Sequence, residues 1–471
     1  MTQTHDIGAA SLSARRTVPH LDYGVAWAQP EVGRRRLAAL HSDLVGIAHR
    51  TFGQLHDHDD AALAAVGAQA CRSEAVLGAG CNELNGGGHQ SLQQATAAAI
   101  GETAERYSVA WRDPEDLIIA TPETLRLYGA RHTEPEELTL FAEEQHEDPA
   151  FPYVPLEEDT SVTWAAGTDL ADQSVRLVPA DLVYMVPSDD PHHMIGYPTS
   201  NGLACGSTLE EATLGGLLEL VERDAFVTTW YRMLSLPQIE IDSDPQLAAF
   251  FATHLEQTGL EVTLIDLSAL VEVPTVLAVI RNPHNEIAPL ALGAAASTDP
   301  VRACEKAAIE AFQTRTWAMS EQRAGAILDP DEGFEQVRTF DDHVRMSLHP
   351  RSIEAAAFLT ASTQTVAVDD LPRVPDETPG AAIREIMSRL SSQETDGRGV
   401  DATAVDVTSP DIAEAGLSVV KVFSAALSPL DSGWHQRYMG GQRIRQRPQQ
   451  VGLGDGPVST AELNPRPHPF P

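Results

Sequence analysis

Cysteine is scarce: Cys71, Cys81, Cys205 and Cys304 are the only four in 471 residues. No C-x-x-C pair occurs, which removes the usual spacing of a structural zinc site. Four scattered thiols make no disulfide framework and fit a reducing compartment. Basic residues are also short, with 32 Lys+Arg against 68 Asp+Glu and a formal charge of −36. That balance excludes a chain-wide basic footprint for nucleic acid. No run of about eighteen apolar residues is present to span a membrane. The N-terminus, MTQTHDIGAASLSARR, lacks the apolar core of a signal peptide. A cytoplasmic protein is expected.

What is there suits a folded chain. Hydrophobic residues make up 42 % and charged residues 21 %, which argues against wholesale disorder. The length gives a prior of roughly three units of ~150 residues. The acidic field repels anions, so any nucleotide site must gather its own cations.

Residues 1–40 show no clear period and are expected to pack loosely. HSDLVGIAHR, at 41–50, reads as the first strand. Strong helix formers predict a helix over 89–110. A Pro/Glu-rich stretch at 113–160 is expected to hold turns and short helices. SVTWAAGTDL and SVRLVPADLVY alternate like strands. A second helix is predicted over 208–233, with Thr208 as its N-cap. DPQLAAFFATHLEQTG reads as helix ending at Gly259. EVTLIDL and PTVLAVIRN read as strands. A third helix is predicted over 299–320, capped by Asp299 and opened by Pro300. A further helix is expected near 380–392, and LSVVKVFSAAL reads as a strand. Beyond about residue 440 the apolar pattern fades. Strands come in consecutive pairs between helices, which favours an α+β fold over a doubly wound sheet. NELNGGGHQS is neither a P-loop nor a dinucleotide fingerprint.

The informative feature is an internal repeat. QQATAAAIGETAERYS and EEATLGGLLELVERDA align without gaps. Ala95, Thr96, Glu102, Glu105 and Arg106 fall on Ala212, Thr213, Glu219, Glu222 and Arg223. RACEKAAIEAFQTR repeats the pattern more loosely, with Ala303, Glu310 and Gln313. On a helix, residues three apart share a face, so each E-x-x-E places two carboxylates side by side. Two such helices converging would be expensive without a cation between them. Mg2+ takes hard oxygen ligands and bridges phosphates. The pattern points to paired helices holding Mg2+ and a nucleotide triphosphate, with Arg223 and Lys306 offsetting phosphate charge. A single E-x-x-E-R string on a solvated helix would be unremarkable surface chemistry; the matched copies carry the argument.

These segments resemble the YcaO family, over roughly residues 41–440. SNGLACGSTLEEATLGGLLELVERDAF is similar to the family's second helix and the strand end before it. The resemblance implies a YcaO-type ATP-binding fold with pseudo-repeated helix and strand-pair units. It implies Mg2+ ligation by Glu102, Glu105, Glu219 and Glu222. It implies a nucleotide site lined by Glu211, Arg223, Lys306, Glu310 and Gln313, with Arg106 as structural support. The chain departs from the family at Ala98, Ser207 and Gly215. It has GGGH where a G-K-G lysine is frequent, and Arg50 is the candidate replacement cation.

The chain ends in NPRPHPFP, with prolines at 465, 467, 469 and 471. Azoline-forming members of the family carry such a P-x-P-x-P end. Alternating prolines favour stiff polyproline II, which loses little entropy on docking. Residues 441–471 are thus expected to form a tail reaching the active site, with the Pro471 carboxylate as a catalytic base. The resemblance implies an ATP-dependent cyclodehydratase acting on Cys, Ser or Thr of a ribosomal precursor peptide. The side chain attacks the preceding carbonyl, ATP phosphorylates the resulting oxygen, and elimination leaves thiazoline or oxazoline. It further implies a separate ubiquitin-activating-like partner that binds the leader peptide. A flavin dehydrogenase and a homodimer are further expectations of the same resemblance. The rival readings are thioamide or amidine formation by the same phosphorylation logic, and a non-catalytic scaffold for nucleotide or peptide.

Overall fold

The structure is a computed structural model, and it describes residues 18–56, 60–186, 194–283, 287–395 and 397–470. The strands are β1 (Ala48–Gly53), β2 (Ala64–Ala70), β3 (Leu84–His89), β4 (Ile118–Ala120), β5 (Val162–Asp169), β6 (Val175–Pro179) and β7 (Leu203–Gly206). There follow β8 (Gln238–Glu240), β9 (Glu261–Asp266), β10 (Thr275–Arg281), β11 (Leu290–Ala296), β12 (Thr365–Ala367), β13 (Thr403–Asp406) and β14 (Ser418–Phe423). The helices of eight residues or more are α1 (Pro30–Ala39), α2 (Leu92–Ser108), α3 (Leu209–Tyr231), α4 (Pro245–His254), α5 (Pro300–Arg323), α6 (Phe340–Ser347), α7 (Pro379–Ser391) and α8 (Gln442–Gln450).

Three sheets carry the helices. One is β1-β2-β3, one runs β11-β10-β9-β8-β12, and the third runs β4-β5-β13-β14-β7 with β6 beside β5. Nearly all pairings are antiparallel; β8 with β12 is parallel. The expected α+β class and strand-pair units are therefore present. α2 packs on β2 and β3, α3 on β7 and β14, and α5 on β10 and β11. Close approach of helix to sheet requires glycine on the strand. A Cβ at Gly87 would stand 2.3 Å from the Ala95 carbonyl, and one at Gly293 would stand 2.1 Å from the Ala311 amide. The small residues of each helix face those glycines: Ala95, Ala99, Ala307 and Ala311 are fully buried.

α3 is the central helix. It starts where predicted, with Thr208 Oγ1 accepting the Glu211 amide at 3.1 Å. Its buried side chains surround it, which marks a helix enclosed by other elements rather than one lying on a surface. Leu217, Phe226, Trp230 and Tyr231 join the largest core with Leu277 and Leu292 of the sheet and Ile383 and Ile386 of α7.

Three expectations need correction. Residues 41–50 are mostly turn, and the strand begins only at Ala48. Within residues 1–40, Pro30–Ala39 is a helix whose Leu37 packs against the core beside α2. Beyond 440 a helix forms although the apolar pattern fades, because its inner face is built from Arg443 and Arg447 with Ile444 and Pro448. Arg443 is fully buried, with Nε 2.6 Å from Asp224 Oδ2 and Nη2 2.8 Å from Gln393 Oε1. Asp224 lies on α3 and also accepts the Ser428 amide. Removing one partner of a buried pair leaves the other charge uncompensated. Asp224→Ala should therefore lower the unfolding free energy by about 3–5 kcal/mol in denaturant titration.

Candidate active site

The repeated helices converge as their pattern requires. Glu102 and Glu105 come from α2, Glu219 and Glu222 from α3, and Glu310 from α5. Each is held by identifiable partners. Glu102 Oε2 accepts the Gly86 amide at 2.7 Å, and its Oε1 lies 3.2 Å from Arg106 Nη2. Glu105 Oε1 accepts the Cys205 amide at 2.8 Å. Arg223 bridges the α3 pair, with Nη2 3.6 Å from Glu219 Oε1 and Nε 3.3 Å from Glu222 Oε1.

Electrostatics report the crowding. Burial, aided by Glu102 and Glu219 and opposed by Arg106, pushes the Glu105 carboxyl up to about 8. Burial raises Glu310 as well, with Arg223 and Lys306 opposing and Glu219 and Glu102 adding. Glu219 and Glu222 rise for the same first reason, with Arg223 the main opposing charge. Lys421 of β14 is buried, donates to the Thr199 carbonyl at 2.5 Å and lies in the field of Glu219. Burial pulls its ammonium down; Glu219 works against that shift.

The donor set fits Mg2+. Five carboxylates supply hard oxygens, and Glu222 Oε1 is buried without a hydrogen-bond partner among the described residues. Arg223 Nη1 is likewise buried without a hydrogen-bond partner among the described residues, a donor suited to an anion.

The other expected residues are placed as follows. Lys306 is exposed on α5, one turn before Glu310. Gln313 lies over the glycine segment: a Cβ at Gly86 would stand 2.6 Å from Gln313 Nε2, and one at Gly88 2.8 Å from Oε1. The glycines of NGGGH thus make room for α2 and Gln313. Glu211 accepts the Ser207 amide at 3.1 Å and the Ala28 amide at 2.5 Å, so the segment before α1 crosses the N-terminal end of α3. Arg50 is exposed on β1, and no hydrogen bond or ion pair among the described residues ties it to the carboxylates. Pro471 lies outside the described residues. The residue before it, Phe470, is fully buried, packs against Phe226 with ring centroids 4.6 Å apart and planes tilted by 35°, and carries the Arg223 guanidinium 4.7 Å above its ring. The tail therefore reaches the cation that joins Glu219 to Glu222.

Sequence reasoning missed Lys421. A signal was present: Lys306 and Lys421 are the only two lysines in the chain, and both border this cluster. Arg106 does more than support its own helix, since its charge acts on Glu105, Glu219 and Lys421.

A carboxyl with a raised folded pKa keeps its proton in the folded chain where the unfolded chain has lost it. Its contribution to stability therefore falls as pH rises from 4.5 towards about 8. Glu105→Gln removes that charge and keeps an acceptor for Cys205. At pH 8.5 and without divalent cations it should stabilise the protein by about 1–3 kcal/mol. It should also reduce the rise in Tm that Mg2+ gives the unsubstituted protein.

Residues 86–428 match the model of the family described as YcaO cyclodehydratase, ATP- and Mg2+-binding. A heterocyclase solved in complex with substrate and cofactor matches 98% of this chain and 60% of its own, at TM-score 0.76 and 22% identity. YcaO from Methanopyrus kandleri, bound with AMPPCP and Mg2+, matches 80% of this chain and 85% of its own, at TM-score 0.57 and 22% identity. An uncharacterized protein of Methanothermobacter thermautotrophicus is 28% identical over 265 residues, 53% of this chain and 62% of that protein. The chain spans less than two thirds of the length of that relative and of the heterocyclase. The structural likenesses establish a common fold, with the carboxylate-bearing helices inside the matched region. The chain belongs to the YcaO cyclodehydratase family, whose members bind ATP and Mg2+.

Proposed function

We propose that this chain is a peptide cyclodehydratase that consumes ATP to convert Cys, Ser or Thr of a ribosomal precursor peptide to thiazoline or oxazoline. The observation that carries the reading is the meeting at Arg223. The guanidinium spans Glu219 and Glu222 on one side and covers Phe470 of the P-x-P-x-P tail on the other. In this reading the metal and nucleotide site and the tail of azoline-forming members share one side chain.

In this reading Glu102, Glu105, Glu219 and Glu222 hold Mg2+. Glu211, Arg223, Lys306, Glu310 and Gln313 line the nucleotide, and Arg50 is the candidate for a phosphate contact. Mg2+ would neutralise charge on the transferring phosphoryl group. The protein supplies positioning and fixed charge. Arg223 faces the carboxylates, keeps Nη1 without a hydrogen-bond partner among the described residues, and stays protonated in their field. The peptide side chain attacks the preceding carbonyl carbon, and the former carbonyl oxygen takes the γ-phosphoryl group of ATP. Loss of a proton from nitrogen and of phosphate closes the C=N bond, leaving ADP and inorganic phosphate. The Pro471 carboxylate, next to a buried Phe470, is the candidate base for the nucleophile and amide protons.

A separate leader-binding protein would deliver the peptide, with a flavin dehydrogenase and a homodimer as further assembly expectations. No helix among the described residues is long and apolar enough to cross a membrane. We place the reaction in the cytoplasm on the strength of the scattered free thiols.

Mass spectrometry of a candidate peptide with this chain, ATP, Mg2+ and the partner should show loss of one water per ring. Glu219→Gln should lower that rate about 100-fold or more. Exchange of oxygen for sulfur in the product, or unchanged processing by Glu219→Gln, would contradict the reading. Deletion of Pro471 should stop cyclisation while leaving Tm within a few degrees of the full chain; full turnover would remove Pro471 from the mechanism.

A further inference from the structure

The tail is seated by groups outside the carboxylate cluster. Asn464 and Arg466 are fixed from α3: the Asn464 amide donates to the Tyr231 carbonyl at 2.8 Å, and Trp230 Nε1 donates to the Arg466 carbonyl at 3.0 Å. Trp434 Nε1 holds the Pro465 carbonyl at 2.8 Å. Past Arg466 the backbone loses donors at every second residue, because proline has none. There the side chain of His468 takes over.

The His468 ring is buried and sits between two main-chain carbonyls. Nδ1 is 2.9 Å from the Phe470 oxygen, and Nε2 is 2.9 Å from the Asp431 oxygen. Its face stacks on His343 of α6, with centroids 3.9 Å apart and planes within 8°. His343 Nδ1 in turn lies 2.7 Å from the His468 carbonyl. Asp431 Oδ1 is 3.6 Å from His468 Nε2, and its Oδ2 accepts the Tyr231 hydroxyl at 2.6 Å. One imidazole therefore links the end of the tail, the loop at Asp431, α6 and α3.

The same three residues, His343, Asp431 and His468, are a potential metal-ligand set by composition, with ligand atoms within 4.8 Å of one another. The geometry argues against that use. Imidazole lone pairs lie in the ring plane, so two rings stacked nearly parallel cannot aim both at one ion. His468 Nε2 also faces the Asp431 carbonyl already.

We propose that the His468–Asp431–His343 cluster is a latch that seats the chain's end against Arg223, and that His468 is a positioning residue for cyclodehydration. The catalytic part rests on the function proposed above; the seating part does not. Phe470 reaches Arg223 only if the turn at its carbonyl is held, and His468 Nδ1 is the group that meets that carbonyl.

The experiment uses the full chain and three variants. His468→Ala removes both ring nitrogens. The neutral ring carries one N–H, and the latch requires it on Nδ1, donating to the Phe470 carbonyl; His468→Asn keeps a donor at that place, whereas His468→Gln moves it to the place of Nε2. Tail seating is read by mass spectrometry during digestion with carboxypeptidase Y, and folding is read by Tm. The expected result is at least tenfold faster trimming in His468→Ala than in the unsubstituted chain, with substantial protection restored in His468→Asn. Equal trimming of His468→Ala and the unsubstituted chain would overturn the latch. Equal acceleration in all three variants together with loss of the folding transition would also overturn it, since the residue would then serve the core alone. Stoichiometric zinc that disappears in His343→Ala would overturn it in favour of a metal centre. Peptide turnover supplies the second readout: kcat should drop at least tenfold in His468→Ala and recover in His468→Asn, with KM for ATP unchanged. A protected tail in an unsubstituted chain that forms no azoline would leave the latch standing and sink the proposed reaction.

Discussion

The constraint on which the rest of the structure depends is mutual repulsion among carboxylates gathered from three helices. Glu105 is held well above its ordinary range because burial and the neighbouring Glu102 and Glu219 disfavour its charge. A chain with formal charge −36 provides no general relief. Relief has to be local, and it is. Arg223 and Arg106 reach the cluster directly, and Lys306 and Lys421, the only lysines present, stand at its edges. Such an arrangement costs stability on its own.

Holding those helices against their repulsion falls to backbone packing. Gly87 and Gly293 let alanine-rich helices lie directly on their strand pairs, closer than any side chain would permit. α3 is fixed all round by the main core, and below the carboxylates Asp224 is locked to Arg443. The same helix then offers Phe226, Trp230 and Tyr231 to the C-terminal segment. A single helix thus carries Glu219 and Glu222, the arginine that bridges them and the dock for the tail. Phe470 touches Arg223, and Arg223 in turn touches Glu219 and Glu222.

Much of this was legible because it is written in periodicity. The gapless alignment of Glu102, Glu105 and Arg106 on Glu219, Glu222 and Arg223 fixed both the helices and the face they share, and the caps at Thr208 and Asp299 lie where the residue types demand. Elsewhere the sequence signal was weak for physical reasons. α8 hides its packing face in Arg443 and Arg447, whose guanidinium groups find their partners in distant Asp224, Gln393, Glu272 and the Leu270 carbonyl. α1 gains its place from contact with α2 rather than from its own pattern. Lys421 lies on an apolar strand, and nothing local marks it as a neighbour of Glu219. His343 and Asp431 are far from His468 in sequence, so the partners of the tail emerge only from the fold.

The central claim is that this site spends ATP on a backbone amide oxygen. A precursor peptide carrying 18O at the carbonyl that precedes the reacting residue tests it most directly. With the chain, its partner, ATP and Mg2+ in unlabelled water, the account predicts that the label leaves in inorganic phosphate. Label released into water, with unlabelled phosphate, would contradict it.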